Sequence, residues 1–503
     1  MPGRFVIYFH YDPNGQADNA CLFAVRAMRA ECSGLLFVTN GRLNDASRGA
    51  VEALDVQLLE RDNTGFDVGA YRDALMLLKQ QGLDGIDELI LMNYTLAGPV
   101  TPLGALFDKM DARPELDFWG LTRHYAMRSR RFKTEYGEVP EHIQSHFIAV
   151  RGRLLHSQDF WSYWETMALP QSYEQSVAGH EARFTRHFAD LGYRWDTAAG
   201  TDDLKALFVN PIMACPRELL ARRGCAFFKR RSFFTPYEDE LRRTDGTAAA
   251  ELYDWLKTET DYPVDDLIRS LLRTQPLAPM AQNLHWNAAL PADGRGNDPE
   301  SIPPVRLTLW QPGQPAPEIH PGEILCLYAP PAHAPATPEE WYMQNGDRTL
   351  AEEESFRRAA GTVLAAHPLA GIAAPAAPAY GPAYAARAEA WQRLLPVLRA
   401  EAARLGWKTP VAEQPLPLPW GRCVFLKGEA FPDGLPDLNG PAGWWLLPLA
   451  AQQAGYGCLT LYTHARAHAA PEHLDCALSA RQDAKETARD LARILRRRLR
   501  GKH

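Results

Sequence analysis

The alternation of apolar runs with amphipathic segments in the first hundred residues most constrains the fold of this chain. Four short strand-like runs are followed by polar, turn-forming residues: RFVIYF (4–9), which is rich in β-branched and aromatic residues, GLLFVTN (34–40), VQLLER (56–61) and DELILMN (87–93). Helix-like segments such as ADNACLFAVRAMRAE and GAYRDALMLLKQQG lie between them. Strands that alternate with helices predict an α/β fold, with a mainly parallel sheet and covering helices.

The polar segments that follow these strands are where we expect a binding site. In parallel α/β sheets, ligands bind beyond the carboxyl ends of the strands. Residues 10–15, 40–42, 63–71 and 93–99 lie at that edge of the predicted sheet. We therefore predict that they converge on one pocket, with candidate ligand contacts at His10, Asp12, Asn40, Asn63 and Asn93.

The segment RDNTGFDVGAYRDAL (61–75) carries the sharpest local signal, because two glycines flank an aspartate just before a helix. Gly65 and Gly69 permit close approach of a ligand to the backbone, and the start of the helix offers free N–H groups. Asp67 can accept hydrogen bonds from a base or a ribose, so the segment suits a nucleotide-sugar. The alternative is a glycine turn in which Asp67 caps the helix, and local chemistry does not decide between the two.

Composition and charge narrow the classes of protein. The chain has 503 residues, 46% of them hydrophobic and 23% charged, which predicts a folded protein of roughly three units. A formal net charge of −7 argues against nucleic acid as a partner. The eight cysteines form no CxxC pair and show no zinc-ligand spacing, so we expect reduced thiols.

No apolar stretch of the sequence predicts a signal peptide or a membrane span. The run FVIYF ends at His10 and is shorter than a signal-peptide core. The stretch PAGWWLLPLAA (441–451) is shorter than the roughly 18 residues of a spanning helix. We therefore expect a cytoplasmic protein that meets the inner face of the cytoplasmic membrane only peripherally.

The segment RDNTGFDVGAY resembles the asparagine-glycine-aspartate-glycine-alanine-aromatic signature of the rhamnan synthesis protein F family. Further blocks resemble the family in the same order, over about residues 4–275: FVIYFHYDPNG, LLFVTNGRL, LILMNYTLAGPVTPL, LDFWGLTRHY, HIQSHFIAVRGRLL, HEARFTRHFADLGYRWD and CAFFKRRSFF. The resemblance implies a GT-A glycosyltransferase fold and rhamnose transfer in the synthesis of bacterial surface polysaccharides. The implied donor is dTDP-L-rhamnose, and the implied acceptor is a lipid-linked glycan.

The segment GHEARFTRHFADLGYRWD (179–196) is similar to the acid-containing helix that supplies the catalytic base in many inverting GT-A enzymes. An inverting transfer needs a carboxylate to take the proton of the acceptor hydroxyl, so the resemblance implies that Glu181 is the base. Arg183 or Arg186 is then a candidate for stabilising the departing diphosphate. The alternative is that Glu181 interacts only with the helix dipole and that the arginines form a solvated face.

The resemblance leaves a requirement for Mg²⁺ or Mn²⁺ open. Family members typically carry an asparagine-aspartate pair where this chain has Asn93 and Tyr94. Neutral groups bind these ions poorly unless other carboxylates help, so the acidic metal motif is not evident and the metal ligands are unknown.

Further polar residues are candidates for contacts with the acceptor or the diphosphate: Trp119, Gln144, Ser145, His146 and Lys229. Sugars favour hydrogen bonds combined with an aromatic surface, and Lys229 belongs to a short basic run with Arg230 and Arg231. The alternatives are a core role for Trp119, satisfied polar groups in HIQSHFIAV, and a solvated or lipid-binding loop around Lys229.

The second half of the chain predicts another α/β unit. The stretches PLPLPWGRCVFLKGEAF and LLPLAAQQAGYG resemble, more weakly, the end of a rhamnan-synthesis-type transferase domain, but without its aspartate and histidine. We expect a GT-A-like catalytic domain at 1–238, a helical segment at 239–290, a Pro/Gly-rich connector at 291–322, a degenerate transferase-like domain at 323–475 and a basic amphipathic helix at 476–503. That last helix either docks on the protein or binds an anionic membrane surface.

Two functions from different classes follow. The first is an inverting glycosyltransferase that uses a nucleotide-sugar, supported by the glycine-aspartate turn and Glu181. The second is a non-catalytic glycan-binding or scaffold subunit of a polysaccharide-synthesis complex, supported by Tyr94 and by the degenerate second half.

Overall fold

The computed structural model describes residues 3–236, 246–292, 294, 304–335, 338–376, 381–416, 420–464 and 467. The chain divides into two compact units, Met1–Leu267 and Ile268–His503. The predicted helix at 476–503 lies outside the described residues. No helix in the described ranges is long and apolar enough to cross a membrane.

The first unit is built on a seven-stranded sheet. Its strands, with four short ones from outside that sheet, are β1 (Arg4–Tyr11), β2 (Gly34–Asn40), β3 (Gln57–Arg61), β4 (Glu88–Asn93), β5 (Leu96–Ala97), β6 (Phe118–Gly120), β7 (Arg123–His124), β8 (His142–Ile143), β9 (Phe147–Arg151), β10 (Trp195–Thr197) and β11 (Phe228–Lys229). The sheet order is β3-β2-β1-β4-β9-β6-β10, and β9 runs antiparallel to both of its neighbours while the other pairs are parallel. The predicted mainly parallel sheet is therefore confirmed.

Helices cover the sheet of the first unit. They are α1 (Asn19–Glu31), α2 (Asp45–Glu52), α3 (Phe66–Gln81), α4 (Leu103–Asp111), α5 (Gly152–Leu155), α6 (Gln158–Thr166), α7 (Tyr173–Ser176), α8 (Ala182–Asp190), α9 (Pro211–Ala214), α10 (Pro216–Arg222) and α11 (Ala248–Glu259), and α12 (Val264–Thr274) contains the last residues of the unit. A π-helical turn, Val177–Glu181, joins α7 to α8.

Strand β1 shows why this sheet is buried on both faces. Its side chains alternate, so Val6 and Tyr8 pack in one hydrophobic core while Ile7 and Phe9 pack in the other. A parallel strand covered on both sides needs a continuous apolar run, which RFVIYF supplies. The polar residues begin where the strand reaches the carboxyl edge.

The buried side chain of Glu88 lies at the start of β4, on the edge of the sheet opposite to the carboxyl ends of the parallel strands. It accepts hydrogen bonds from Arg4 Nε (2.9 Å) and from Trp119 Nε1 (2.8 Å). Trp119 is fully buried and packs against Phe107 and Phe147. This corrects the expectation that Trp119 offers an aromatic surface to the acceptor, because its ring is enclosed by the core and its N–H is bound to Glu88.

The second unit contains a six-stranded sheet in the order β12-β17-β15-β16-β14-β13, with β16 antiparallel to its neighbours. Its strands are β12 (Asn287–Ala289), β13 (Val305–Leu309), β14 (Ile324–Tyr328), β15 (Ala370–Pro375), β16 (Cys423–Lys427) and β17 (Gly457–Tyr462). Its helices are α13 (Leu277–Asn283), α14 (Pro338–Glu352), α15 (Glu354–Ala366), α16 (Gly381–Arg404) and α17 (Leu447–Gln453).

One strand of the second unit lies in a Pro/Gly-rich stretch of the sequence. The predicted connector, 291–322, contains β13, which pairs in parallel with β14. The proline-free VRLTL can donate backbone hydrogen bonds within the otherwise Pro/Gly-rich stretch, so it joins the sheet. The five domain bounds and the transferase-like character of this unit remain predictions.

Candidate functional site

A cavity of about 510 Å³ lies at the carboxyl edge of the first sheet. Nine of the residues singled out from the sequence line it: Asn40, Asn63, Asp67, Asn93, Gln144, Ser145, His146, Glu181 and Lys229. Strand ends therefore meet at one pocket in the way that a parallel sheet requires. The roles of these residues remain predictions.

Several lining residues were not among the individual candidates named from the sequence, although some lie in the segments predicted to converge. Aromatic side chains supply much of the apolar wall: Phe9, Tyr11, Phe66, Phe132 and Tyr173. His124 also lines the cavity, and so does Arg231 of the basic run noted in the sequence. A polar residue at the end of an apolar strand can be recognised in the sequence. An aromatic residue in a loop cannot be assigned in this way, because the sequence does not show whether it faces a pocket or the core.

Two predicted contacts, His10 and Asp12, shape the loop after β1 and do not line the cavity. His10 is buried, with Nδ1 3.0 Å from Thr39 Oγ1 and Nε2 3.2 Å from the Gln16 carbonyl oxygen. Burial lowers the pKa of His10 to about 4, so the ring is neutral. Asp12 Oδ1 accepts hydrogen bonds from the backbone N–H of Asn14 (2.7 Å) and of Gln16 (3.0 Å).

The two glycines of the RDNTGFDVGAY segment serve the packing of the turn. Gly65 has φ +70°, and a Cβ there would come within 2.9 Å of Leu169 Cδ2. A Cβ at Gly69 would lie 2.5 Å from the Thr64 carbonyl oxygen. Their small size lets helix α3 begin against this turn, and neither glycine lines the cavity.

Arg183 and Arg186 lie on α8 outside the cavity. Arg183 Nε is 3.1 Å from Glu135 Oε1, and Arg186 Nε is 2.9 Å from Asp190 Oδ1. The side chain of Arg186 is 55% exposed. These ion pairs correct the expectation that either arginine meets the diphosphate and agree with a solvated helix face.

Asn40 organises the turn that leads into α3. Its Nδ2 donates to Asn63 Oδ1 and to the Phe66 carbonyl oxygen, both at 3.1 Å, while Arg61 Nη1 donates to its Oδ1. Phe66 has φ +55°, a left-handed conformation that costs a bulky residue about 1–2 kcal/mol. The residue is nevertheless 41% exposed, at the cavity wall. Backbone strain of this kind is common at functional sites, which makes Phe66 a candidate for contact with a ligand.

Asp67 begins α3 and links three elements at the cavity. Its Oδ1 accepts from the backbone N–H of Val68 (3.0 Å) and from Ser176 Oγ (3.3 Å), and its Oδ2 accepts from Asn93 Nδ2 (3.0 Å). Desolvation raises the pKa of Asp67, and the negative charge of Glu181 adds to that rise. The carboxylate thus holds the strand end at Asn93 against the helix start.

Glu181 ends the π-helical turn, a distortion that often marks functional sites. Its Oε2 accepts hydrogen bonds from Ser145 N (3.1 Å) and Ser145 Oγ (2.5 Å). His142 Nε2 lies 3.6 Å from Oε1, which is too long for a hydrogen bond. Desolvation acts to raise the pKa of Glu181, but His142, the charge of Lys229 and the donors of Ser145 outweigh it and hold the pKa well below its usual value.

Histidine side chains lie close to Glu181. The rings of His124 and His142 stack with centroids 4.9 Å apart. Burial lowers the pKa of His124 to about 3, and burial also holds the pKa of His146 well below its usual value. His124 and His146 line the cavity in the neutral form, whereas Lys229 and Arg231 bring positive charge to it.

The donor groups in the cavity do not fit Mg²⁺ or Mn²⁺. Within the described parts of the chain, no three His, Cys, Asp or Glu side chains are grouped to hold a metal ion. Asp67 and Glu181 line the cavity, but N–H and O–H groups already donate to Asp67 and to Glu181 Oε2. These ions need several oxygen ligands with free lone pairs.

The family model for rhamnan synthesis protein F matches residues 35–290, a little over half of the chain. The chain belongs to the rhamnan synthesis protein F family. This confirms the resemblance carried by RDNTGFDVGAY and the blocks around it. The expected α/β class is likewise confirmed, since the first unit has a mainly parallel sheet with covering helices.

Individual relatives are distant. The uncharacterized protein y4gN of Sinorhizobium fredii (strain NBRC 101917 / NGR234) is 21% identical over 240 residues, which are 48% of this chain and 60% of the relative. The chain therefore spans less than two thirds of the length of this curated relative.

Similar solved structures include three sugar-transfer enzymes. The mannosyltransferase of Pyrobaculum calidifontis in complex with GDP-mannose and Mn²⁺ is 14% identical, covers 39% of this chain and 54% of its own, and has a TM-score of 0.26. A glucosyl-3-phosphoglycerate synthase of Mycobacterium tuberculosis is 13% identical over 39% of this chain and 68% of its own, with a TM-score of 0.26. Core-mannan synthase A of Aspergillus fumigatus is 7% identical over 39% of this chain and 73% of its own, with a TM-score of 0.24.

Strain at Phe66 predicts an unusual order of stability between two variants. Phe66→Gly and Phe66→Ala both remove the exposed ring, but only glycine adopts a positive φ without steric cost. We expect Phe66→Gly to be more stable than Phe66→Ala by about 1 kcal/mol, measured from urea unfolding of the full chain. Equal stability of the two variants would show that the left-handed backbone carries no strain.

Proposed function

We propose that this protein is an inverting glycosyltransferase that transfers a sugar from a nucleotide-sugar to a lipid-linked glycan in bacterial surface polysaccharide biosynthesis. The observation that carries the proposal is that Glu181, held ionised, lines the same cavity as Asn40, Asp67 and Asn93. The family suggests that the sugar is L-rhamnose and that the donor is dTDP-L-rhamnose.

The donor half of the cavity suits a nucleoside. Asn63 and Asp67 offer hydrogen-bonding groups, and Phe66 offers an exposed ring beside them. An aromatic face attracts a base by stacking, and carboxylate or amide oxygens accept hydrogen bonds from ribose or base. We propose that these residues bind the nucleoside of the donor.

The acceptor half of the cavity suits an incoming hydroxyl group. In an inverting transfer, the acceptor oxygen forms a bond to the anomeric carbon while the bond from that carbon to the diphosphate breaks. We propose that Glu181 accepts the proton of the acceptor hydroxyl. Its low pKa weakens it as a base, and loss of the hydrogen bonds from Ser145 on acceptor binding would raise the pKa of Glu181.

A second candidate function is a non-catalytic glycan-binding subunit. It is favoured by the hydrogen bonds that engage Asp67 and Glu181, and by Tyr94 in place of an acid. Sugar transfer by the purified chain separates the two functions, because a binding subunit retains glycan affinity without turnover.

Two isosteric variants test the division of roles between the carboxylates. We expect Glu181→Gln to lower turnover by at least about a hundredfold with little change in donor affinity, because it removes basicity and preserves shape. We expect Asp67→Asn to weaken donor affinity instead. Initial rates and calorimetric titrations of both variants measure these effects, with thermal melting as the folding control. Near-normal turnover by Glu181→Gln would rule out Glu181 as the base.

The basic segment at the end of the sequence suits an anionic lipid surface, where a lipid-linked acceptor is found. Near such a surface each Lys or Arg contributes about 1 kcal/mol. We propose that this segment binds the inner leaflet, and we expect deletion of residues after Asp490 to reduce salt-sensitive binding to anionic liposomes. Activity on a short soluble acceptor should be preserved. Equal liposome binding by the truncated and full-length proteins would refute the proposal that this segment binds the membrane surface.

A further inference from the structure

The basic run Lys229-Arg230-Arg231 is fixed beside the end of β4 by backbone pairing. Strand β11 pairs antiparallel with β5, which sets Lys229 opposite Leu96. The backbone N–H of Arg230 donates to the Thr95 carbonyl oxygen at 2.9 Å. Since Thr95 itself lines the cavity, the run is held where the ligand edge of the sheet lies.

The three cationic side chains of this run have different environments: one is buried in the protein, and two line the cavity. Arg230 is buried and forms an ion pair with Asp18, the residue that caps α1. Its guanidinium therefore anchors the segment to the protein. Lys229 and Arg231, on either side of this anchor, both line the cavity. Because Arg230 is buried and paired between two residues that line the cavity, the segment 229–231 is fixed on the protein and is not a solvated loop.

The groups that line the cavity with Lys229 and Arg231 determine which ligands these two cations can bind. Tyr94 also lines the cavity, and desolvation raises the pKa of its phenol to about 12, so it carries no charge at neutral pH. Asp67 and Glu181 are held by the donors of Asn93, Val68 and Ser145. The cavity therefore combines two cations with carboxylates that are poorly arranged to hold a divalent ion.

We propose that Lys229 and Arg231 together bind and neutralise the diphosphate of the donor, so that binding and transfer require no divalent metal. This inference rests on the proposed function. As the bond between the anomeric carbon and the diphosphate breaks, its electron pair stays on the diphosphate oxygen. Fixed cations stabilise charge that develops at such a position, in the way that a bound Mg²⁺ does in other enzymes.

Calorimetric titration of the full-length chain tests this inference directly. Nucleoside diphosphates (dTDP, UDP and GDP in turn) are titrated in buffer with EDTA and again with added MnCl₂. We expect the wild-type protein to bind one of them with the same affinity in both buffers. Lys229→Met and Arg231→Met should each lower that affinity roughly tenfold or more, since each removes a charge-assisted contact.

Matched variants separate this role from general effects of charge and folding. Lys229→Arg keeps the charge and should retain most of the affinity. Arg222→Met removes one cation from a side chain that is 77% exposed and lies outside this cavity, so it should bind like wild type. Thermal melting of every variant checks that the fold is intact.

The outcomes distinguish this inference from the function on which it rests. If wild type binds a nucleoside diphosphate only with Mn²⁺, or if the two methionine variants bind as wild type does, the metal-free role of these cations is wrong and the donor site stands. If wild type binds none of the three in either buffer, both the inference and the proposed function are overturned.

Discussion

The backbone hydrogen bond from Asn93 N to the His146 carbonyl oxygen (2.9 Å) holds the carboxyl end of β4 beside the loop that precedes β9, and the candidate site is built around this contact. It continues the antiparallel pairing of β4 with β9, in which Met92 faces Phe147. Because β9 runs against its neighbours, the loop before it arrives at the same edge as the carboxyl end of β4. Ser145 thereby meets Glu181 while Asn93 meets Asp67.

This arrangement sets the electrostatics of the cavity. The charge of Glu181 adds to the rise in the pKa of Asp67, whereas the pKa of Glu181 itself is lowered. The difference follows from their surroundings, because Glu181 faces His142 and Lys229 as well as the donors of Ser145. Two carboxylates whose environments push their pKa values apart suit different tasks in one site.

The sequence predicted the parts of the site that follow from strand periodicity. Asn40 and Asn93 end buried strands, so their place at the carboxyl edge follows from the pattern alone. Trp119 was misassigned because its partner, Glu88, is 31 residues away, and nothing local signals that contact. Likewise, the local sequence Lys229-Arg230-Arg231 does not show that Arg230 is buried in an ion pair with Asp18. The exposure of Phe66 depends on a positive φ that only the folded turn defines.

The central claim is that the cavity at the carboxyl edge of the first sheet binds a nucleotide-sugar. Saturation-transfer difference NMR of the full-length chain with a panel of nucleotide-sugars, including dTDP-L-rhamnose, tests it most directly. The account predicts that one donor receives saturation at both base and sugar protons, and that Phe66→Ala weakens the signal at the base. Absence of saturation for every nucleotide-sugar, from a folded protein that still binds glycan, would contradict it.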